Sequence, residues 1–393
     1  MKQGGKEKGN FPNLRFPGFE GEWEEKKLGE IADKVNSGKT PLGGEAIYTK
    51  EGVLFIRSQN VNNDKLELEN SVFIPEVVNR QMENSIVHPN DILLNITGAS
   101  LGRSCVVPDT FKCGNVNQHV CIIRLKKQYN PRFVQPLLSS SKGQTIFTNL
   151  QTGSGREGLT FESIKSIKIS IPFHDEQQKI ASFLSLIDDR ITTQNKIIKK
   201  YESLIKGLSN NLFSSEQGEY PKLRFPKYWG MWSKVKIGDI LTIGSGRDYK
   251  HLHKGNIPVY GTGGYMTSVN NFLYDGESVC IGRKGTINKP FFLKGKFWTV
   301  DTLFYTHSFK NILPAFGYFI FNRINWLKYN EASGIPSLSK TTIESIPVLI
   351  PLMEEQSQIV NTLLSINNKI EFEREILALC EKQKKYLLQQ MFI

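Results

Sequence analysis

The sequence predicts an α+β chain: two mixed α/β globular parts in a pseudo-twofold repeat, separated by two long helices that pair as an antiparallel coiled coil. Three observations carry this. PNLRFPGFEGEW at residues 12–23 returns as PKLRFPKYWGMW at residues 221–232, with seven of twelve positions identical at a shift of 209. IPFHDEQQKIASFLSLIDDRIT at 171–192 returns as IPLMEEQSQIVNTLLSINNKIE at 350–371, at a shift of 179 that runs without a gap to Phe213 and Phe392. Each closing segment then carries an apolar residue at steps alternating between four and three, the a/d seam of a helix that pairs with another helix. An internal repeat decides the architecture before any local reading does.

The elements follow in chain order. The opening MKQGGKEKGN is polar and glycine-rich, and residues 1–11 read as a flexible tail. The repeated openings come next, then two middles, roughly 40–150 and 248–330, that align poorly; the first copy is 30 residues longer. Both middles read as strands and glycine turns. GVLFIRSQNVNN (52–63) is a strand entering a polar loop, NDILLNITGASLGRSCVVP (90–108) a hairpin, and NVNQHVCIIRL (115–125) a strand with a polar entrance. IPVYGTGGYMTS (257–268), ESVCIGRKGTINKPFF (277–292) and FWTVDTLFYTH (297–307) come in the same order. In the helices the seam is Ile180, Leu184, Ile187, Ile191, Gln194, Ile198, Tyr201, Ile205, Leu208, Leu212, and in the second copy Ile359, Leu363, Ile366, Ile370, Glu373, Leu377, Cys380, Lys384, Leu387, Met391. Pro172 and Pro351 end the preceding strands, and Asp175–Glu176 and Glu354–Glu355 sit at the positive end of each helix dipole. Gln194 and Glu373 interrupt both seams at the same heptad place, a device that fixes register. At 1.5 Å per residue such helices reach roughly 50–60 Å.

Composition bounds the function. The apolar fraction is 39%, which is globular, and no run of 18 apolar residues predicts a membrane span. Five cysteines, an odd number without CxxC, argue for a reducing, cytoplasmic compartment and against zinc. The net charge is +12, yet residues 174–213 hold six Lys/Arg against five Asp/Glu and residues 354–393 five against six. The surplus lies on the globular parts, which suits a polyanion such as double-stranded DNA. No GxGxxG after a strand, GxxxxGK(S/T), metalloprotease motif, amino-methyltransferase motif or nuclease spacing occurs. GTGGYM at 261–266 is a lone glycine cluster without a following helix and only a weak phosphate-loop candidate, and the chain reads as non-catalytic, with no metal and no cofactor.

Loops rich in Arg, Lys, Asn, Gln and Thr can present bidentate donors to base edges. The first middle offers Lys39, Arg57, Ser58, Gln59, Asn60, Thr97, Arg103, Asn117, Gln118, His119 and Arg156; the second offers Arg247, Tyr260, Thr262, Arg283, Lys284 and Asp301. Any one of these alone is ordinary turn chemistry or solvated surface; the inference rests on the sets. Two other classes stay open on the residues alone: a scaffold whose coiled coil joins two protein-binding modules, and a stand-alone DNA-modifying enzyme.

The order of parts, with LRFPGFEGEWEEKKLGEI and LRFPKYWGMWSKVKIGDI opening each half, NDILLNITGASLGR and NVNQHV in the first middle, GRKG in the second, and IPFHDEQQKI and IPLMEEQSQI opening the helices, resembles the specificity subunit of type I restriction–modification enzymes over nearly the full length. The resemblance implies two target recognition domains, here 12–172 and 221–351, each reading one half of a split DNA sequence. The helical segments, 173–220 and 352–393, would act as a ruler and dock two modification (methyltransferase) subunits, which two restriction subunits join. Leu14, Phe16, Trp23, Leu223, Phe225 and Trp232 would pack two equivalent joints at which those partners bind. Because DNA-reading residues vary within that family, the base-contact candidates carry over only as loop positions. Asp301-Thr302-Leu303 stands where Asn117-Gln118-His119 stands, so different half-sites are expected.

Overall fold

The computed structural model describes residues 9–62, 64–151, 158–214 and 220–393. The chain divides into two compact units, Met1–Asn195 with Glu375–Ile393, and Lys196–Arg374. Unit one runs β1 (Glu24–Lys27), α1 (Leu28–Ile31), β2 (Ala32–Ser37), β3 (Val53–Ile56), a small hairpin of β4 (Val61–Asn62) and β5 (Lys65–Leu66), β6 (Val72–Ile74), α2 (Glu76–Gln81), β7 (Ile86–Val87), β8 (Ile92–Asn95), β9 (Ser104–Val106), β10 (Gly114–Val116), β11 (Val120–Leu125), α3 (Pro131–Ser139), α4 (Ser141–Leu150), α5 (Phe161–Lys165), β12 (Lys168–Ile171) and the first part of α6 (His174–Leu212). Unit two takes the rest of α6, then β13 (Ser233–Lys236), α7 (Ile237–Ile240), β14 (Thr242–Ser245), β15 (Lys254–Gly261), β16 (Gly264–Val269), β17 (Tyr274–Asp275), β18 (Ser278–Gly282), β19 (Phe291–Leu293), β20 (Lys296–Thr299), β21 (Leu303–His307), α8 (Pro314–Arg323), α9 (Lys340–Ser345), β22 (Pro347–Ile350) and the start of α10 (Met353–Met391).

The two middles, unlike in sequence, have one topology. Unit one holds sheets of order β2-β11-β8-β9 and β6-β3-β10-β7, with β1 paired to β12; unit two holds β14-β21-β18-β19 and β16-β15-β20-β17, with β13 paired to β22. The first sheet of each is antiparallel throughout, and the second contains one parallel pair, β3 with β10 and β15 with β20. NVNQHVCIIRL is not one strand: the turn at 117–119 splits it between β10 and β11, in different sheets. FWTVDTLFYTH divides in the same way between β20 and β21.

Period-two alternation explains why β8 and β18 are buried along their whole length. Ile92 and Leu94 of β8, with Cys121 and Ile123 of β11, face the core that α3 and the long helices cover; Leu93, Val120 and Ile122 face the second sheet. In unit two Val279, Ile281 and Phe304 take the helix side, while Cys280 and Leu303 take the other. Each strand serves two cores, so it reads as a continuous apolar run.

The helices form as the seam requires, 39 residues each. In unit one Ile180, Leu184 and Ile187 of α6 share a core with Leu387 and Met391 of α10. In unit two Leu212 near the end of α6 shares one with Ile359 and Leu363 near the start of α10. Early residues of one helix meet late residues of the other, so the pair is antiparallel within each unit. Gln194 and Glu373 are buried as the register device requires, and Lys369 bridges Glu373 at 2.8 Å.

The repeated opening pairs with the glutamates at the start of each long helix. Glu176 and Glu355 are buried. Arg15 holds Glu176 with two hydrogen bonds, Nε to Oε1 at 2.8 Å and Nη2 to Oε2 at 2.7 Å. Arg224 does the same to Glu355, at 2.8 Å for both bonds. The hydrogen bonds each guanidinium donates to its carboxylate raise its pKa, against the lowering effect of burial. The neighbouring glutamines seal the same corner: Gln177 accepts from the Asn130 N–H and donates to Pro172 O, and Gln356 accepts from the Leu313 N–H and donates to Pro351 O. The opening then meets the far end of a helix, with Leu14 N–H donating to Gln390 O and Leu223 N–H to Asn211 O, both at 2.9 and 2.8 Å respectively. Trp23, Phe133 and Phe392 form an aromatic triad that Trp232, Phe316 and Phe213 repeat.

Candidate nucleic-acid interface

Four strands of unit one end on a common edge, and the loops that follow them are tied together. The loop after β2 enters against the turn after β10: Gly38 N–H donates to Asn117 O, and Asn117 N–H to Ile56 O at the end of β3. At the end of β8, Ile96 N–H donates to His119 O, and the Asn95 side chain donates to Ser58 O at 2.8 Å. Side chains complete the cluster. Thr40 donates to Gln118 Oε1 at 2.6 Å, Thr97 Oγ1 meets His119 Nδ1 at 2.6 Å, and Arg103 donates to Asn62 Oδ1 at 3.1 Å. Arg57 lies over the Tyr48 ring at 5.8 Å; burial raises the phenol pKa while the Arg57 cation opposes it.

Unit two builds the same edge from other residues. Arg247 N–H, after β14, donates to Thr299 O at the end of β20; Val300 N–H donates to Tyr260 O on β15; Arg283 N–H, after β18, donates to Thr302 O. Arg283 Nη1 reaches Asp301 O at 3.5 Å, and the backbone at Leu338 closes on Arg283 O.

One local device makes both edges possible. Ser37-Gly38-Lys39 and Ser245-Gly246-Arg247 occupy equivalent places. A Cβ on Gly38 would lie 1.6 Å from Val116 O, and one on Gly246 would lie 1.9 Å from Val300 O. Only glycine lets the strand exit pass so close to its neighbour, and a basic residue follows at once in both units. The Ser-Gly-basic triplet is the sequence signal of this device, of which Lys39 and Arg247 alone stand among the base-contact candidates.

Lys39, Gln59, Arg103 and Gln118 are exposed on the first edge, and Arg57, Ser58, Thr97, Asn117 and His119 are half-buried. Arg247, Arg283, Lys284 and Asp301 are exposed on the second, with Tyr260 and Thr262 half-buried. Two expectations need correction. Asn60 is buried, accepts from the Arg57 N–H and donates to Glu67 O; it shapes its turn and has no edge to offer a base. Trp23 and Trp232 are buried in the aromatic triads and present no surface to a partner. Leu14 and Leu223 are the exposed members of the openings, while Phe16 packs edge-on against Phe183 and Phe225 lies half-buried on the core of unit two. Arg156 lies outside the described residues.

Among the described residues no group of three or more His, Cys, Asp or Glu is placed to hold a metal ion, and no helix is long and apolar enough to cross a membrane. Of the five cysteines only Cys113 is exposed. Burial pushes the Cys121 thiol up to about 12 and raises Cys105 and Cys280 as well, so these are packing residues rather than nucleophiles.

These edges define a class: a protein that mounts two different polar loop clusters on one repeated frame. The chain belongs to the family described as the type I restriction modification DNA specificity domain, whose model matches residues 20–203 and 230–382. A Methanocaldococcus jannaschii protein named for the specificity subunit of the MjaX type I restriction enzyme is 21% identical over 409 residues, covering 96% of this chain and 95% of its own. The crystal structure of a type I restriction–modification S subunit from M. genitalium has a TM-score of 0.66 at 17% identity, covering 98% of this chain and 99% of its own. A chain solved in work on the assembly and conformational transition of the type I R-M system has a TM-score of 0.54 at 14% identity, covering 94% of this chain and 97% of its own.

Proposed function

We propose that this chain is the sequence-specific DNA-binding specificity subunit of a type I restriction–modification complex and has no catalysis of its own. Each loop edge reads one half of a bipartite target. The helices set the spacing between the halves and dock two modification subunits at the two Arg–Glu joints, and two restriction subunits join through these. The observation that carries the reading is the edge itself, built twice on one topology with different exposed side chains. A frame that joined two protein modules would not need exposed basic side chains at four converging strand ends in both units. The domains are taken as 12–172 and 221–351 with helical segments 173–220 and 352–393, in a cytoplasmic protein. Methylome sequencing of the host with and without the gene is the test. A bipartite methylated motif that disappears with the gene supports the proposal; an unchanged methylome in a host that carries the modification subunit sinks it. Inserting one heptad after Ile198 and a partner heptad in α10 adds roughly 10 Å, about three base pairs of spacer, with both half-sites kept.

A further inference from the structure

We infer that Gln118 reads an adenine in the major groove of the half-site bound by unit one. The inference rests on the DNA-reading function proposed above and adds the base.

The argument starts from the amide. A glutamine carboxamide offers two lone pairs on Oε1 and two N–H donors on Nε2. Thr40 Oγ1 donates to Oε1 at 2.6 Å, and Nε2 lies 3.1 Å from His119 Nε2. An amide nitrogen can only donate there, so His119 Nε2 accepts and its proton sits on Nδ1. That proton goes to Thr97 Oγ1, 2.6 Å away. The two flanking loops therefore hold both ends of the amide. One lone pair and one N–H remain, on a side chain that is exposed.

That remainder is a donor–acceptor pair, the complement of adenine, which shows an N6–H donor beside the N7 acceptor. Guanine shows two acceptors there and cytosine a donor without an acceptor, so neither uses both atoms. The backbone beneath is equally fixed: Asn117 Oδ1 accepts from the His119 N–H, and Asn117 N–H and His119 O are held by β3 and the end of β8. A side chain already held in one orientation loses little rotamer freedom on binding. The backbone bonds of the two turns match Asn117 to Val300 and His119 to Thr302, one residue away from the sequence alignment, so unit two has Asp301 at this place; a carboxylate offers no N–H donor, and the reading belongs to unit one alone.

The experiment uses the full chain in complex with its modification subunit and a duplex carrying the bipartite target found by methylome sequencing. Each adenine of the target is replaced in turn by 7-deazaadenine, which keeps N6 and removes the N7 acceptor. At one adenine the analogue is expected to weaken binding on the order of tenfold. Gln118→Leu and Gln118→Glu, which both remove the N–H donor at an exposed position, should lose a similar factor on the normal duplex and become indifferent to the analogue at that adenine. Losses that multiply, or no adenine whose analogue effect depends on Gln118, overturn the inference. Thr40→Val leaves the amide free to turn and should narrow the ratio between adenine and its analogue; an unchanged ratio also counts against it. A complex that binds no bipartite site overturns the proposed function instead.

Discussion

The two units carry the same strands in the same order and differ in what lies between them. Residues 57–71 separate β3 from β6 in unit one and include a hairpin, whereas only Thr262 and Gly263 separate β15 from β16 in unit two. Helix α2 in unit one has no counterpart helix between β16 and β17. What stays constant is the parallel pair, the fully buried central strand, the glycine at each first strand exit and the Arg–Glu joint. A strand that serves two cores demands only a run of apolar residues, and many sequences meet that. A loop on a solvated edge is free to change length and chemistry. The fold therefore holds while the recognition surface is rewritten.

The comparison breaks most readily at the joints. Arg15→Met leaves the buried Glu176 carboxylate unpaired and should cost roughly 3–5 kcal/mol. Arg224→Met should cost as much, and equal losses in urea unfolding are the expected outcome; a difference of more than about 1 kcal/mol would show that the joints are not equivalent. Gly38→Ala forces a Cβ onto Val116 O and should cost about 3 kcal/mol, the upper end for overpacking. It should abolish discrimination at one half-site only, read by methylome sequencing, with Gly246→Ala abolishing it at the other.

A smaller effect marks a place where the units differ. Lys384 Nζ bridges Asp64 at 2.9 Å and Asp188 at 2.7 Å, while the matching seam position of the other copy is Ile205. Lys384→Ile should cost about 1–2 kcal/mol, because it leaves two partly buried carboxylates without their cation. Burial lowers the Lys384 pKa, but attraction to Asp64 and Asp188 outweighs it, and the pKa is raised. A group raised in the folded state stabilises fully below its unfolded pKa and loses that contribution as pH rises through the folded one. The gap between wild type and variant should thus hold near neutrality and close above about pH 10.4, the unfolded lysine value. A gap unchanged at alkaline pH would mean that the variant acts by packing alone. Arg103→Ala and Arg283→Ala should move stability least, within about 0.5 kcal/mol, since both are exposed. Each should nonetheless change one half-site and spare the other; a change in both would contradict separate reading.

The helices, the hairpin at 90–108 and the duplication were legible because each leaves a periodic or repeated trace. The shared topology of the middles was not, since buried alternation constrains residue type and not identity. The turn at 117–119 was read through because Asn117-Gln118-His119 carries no Gly or Pro; it turns by the Asn117 side chain accepting from the His119 N–H. Glu176 reads from sequence only as a dipole partner, because its ion-pair partner, Arg15, lies 161 residues away. Asn60 looked like a surface amide because its burial depends on a chain return at Glu67 that composition does not announce.

Unit two is one continuous stretch, Lys196–Arg374, whereas unit one needs Glu375–Ile393 to complete its core with Leu387, Met391 and Phe392. Synthesis runs from the N-terminus, and domains generally fold as units. The first reading unit to be translated is therefore the second to be finished: its aromatic triad stays open on Trp23 and Phe133 until Phe392 has left the ribosome, after every residue of unit two. The order in which the chain is made is the reverse of the order in which its two halves can close, and any chaperone that attends this protein during translation meets the unfinished face of unit one.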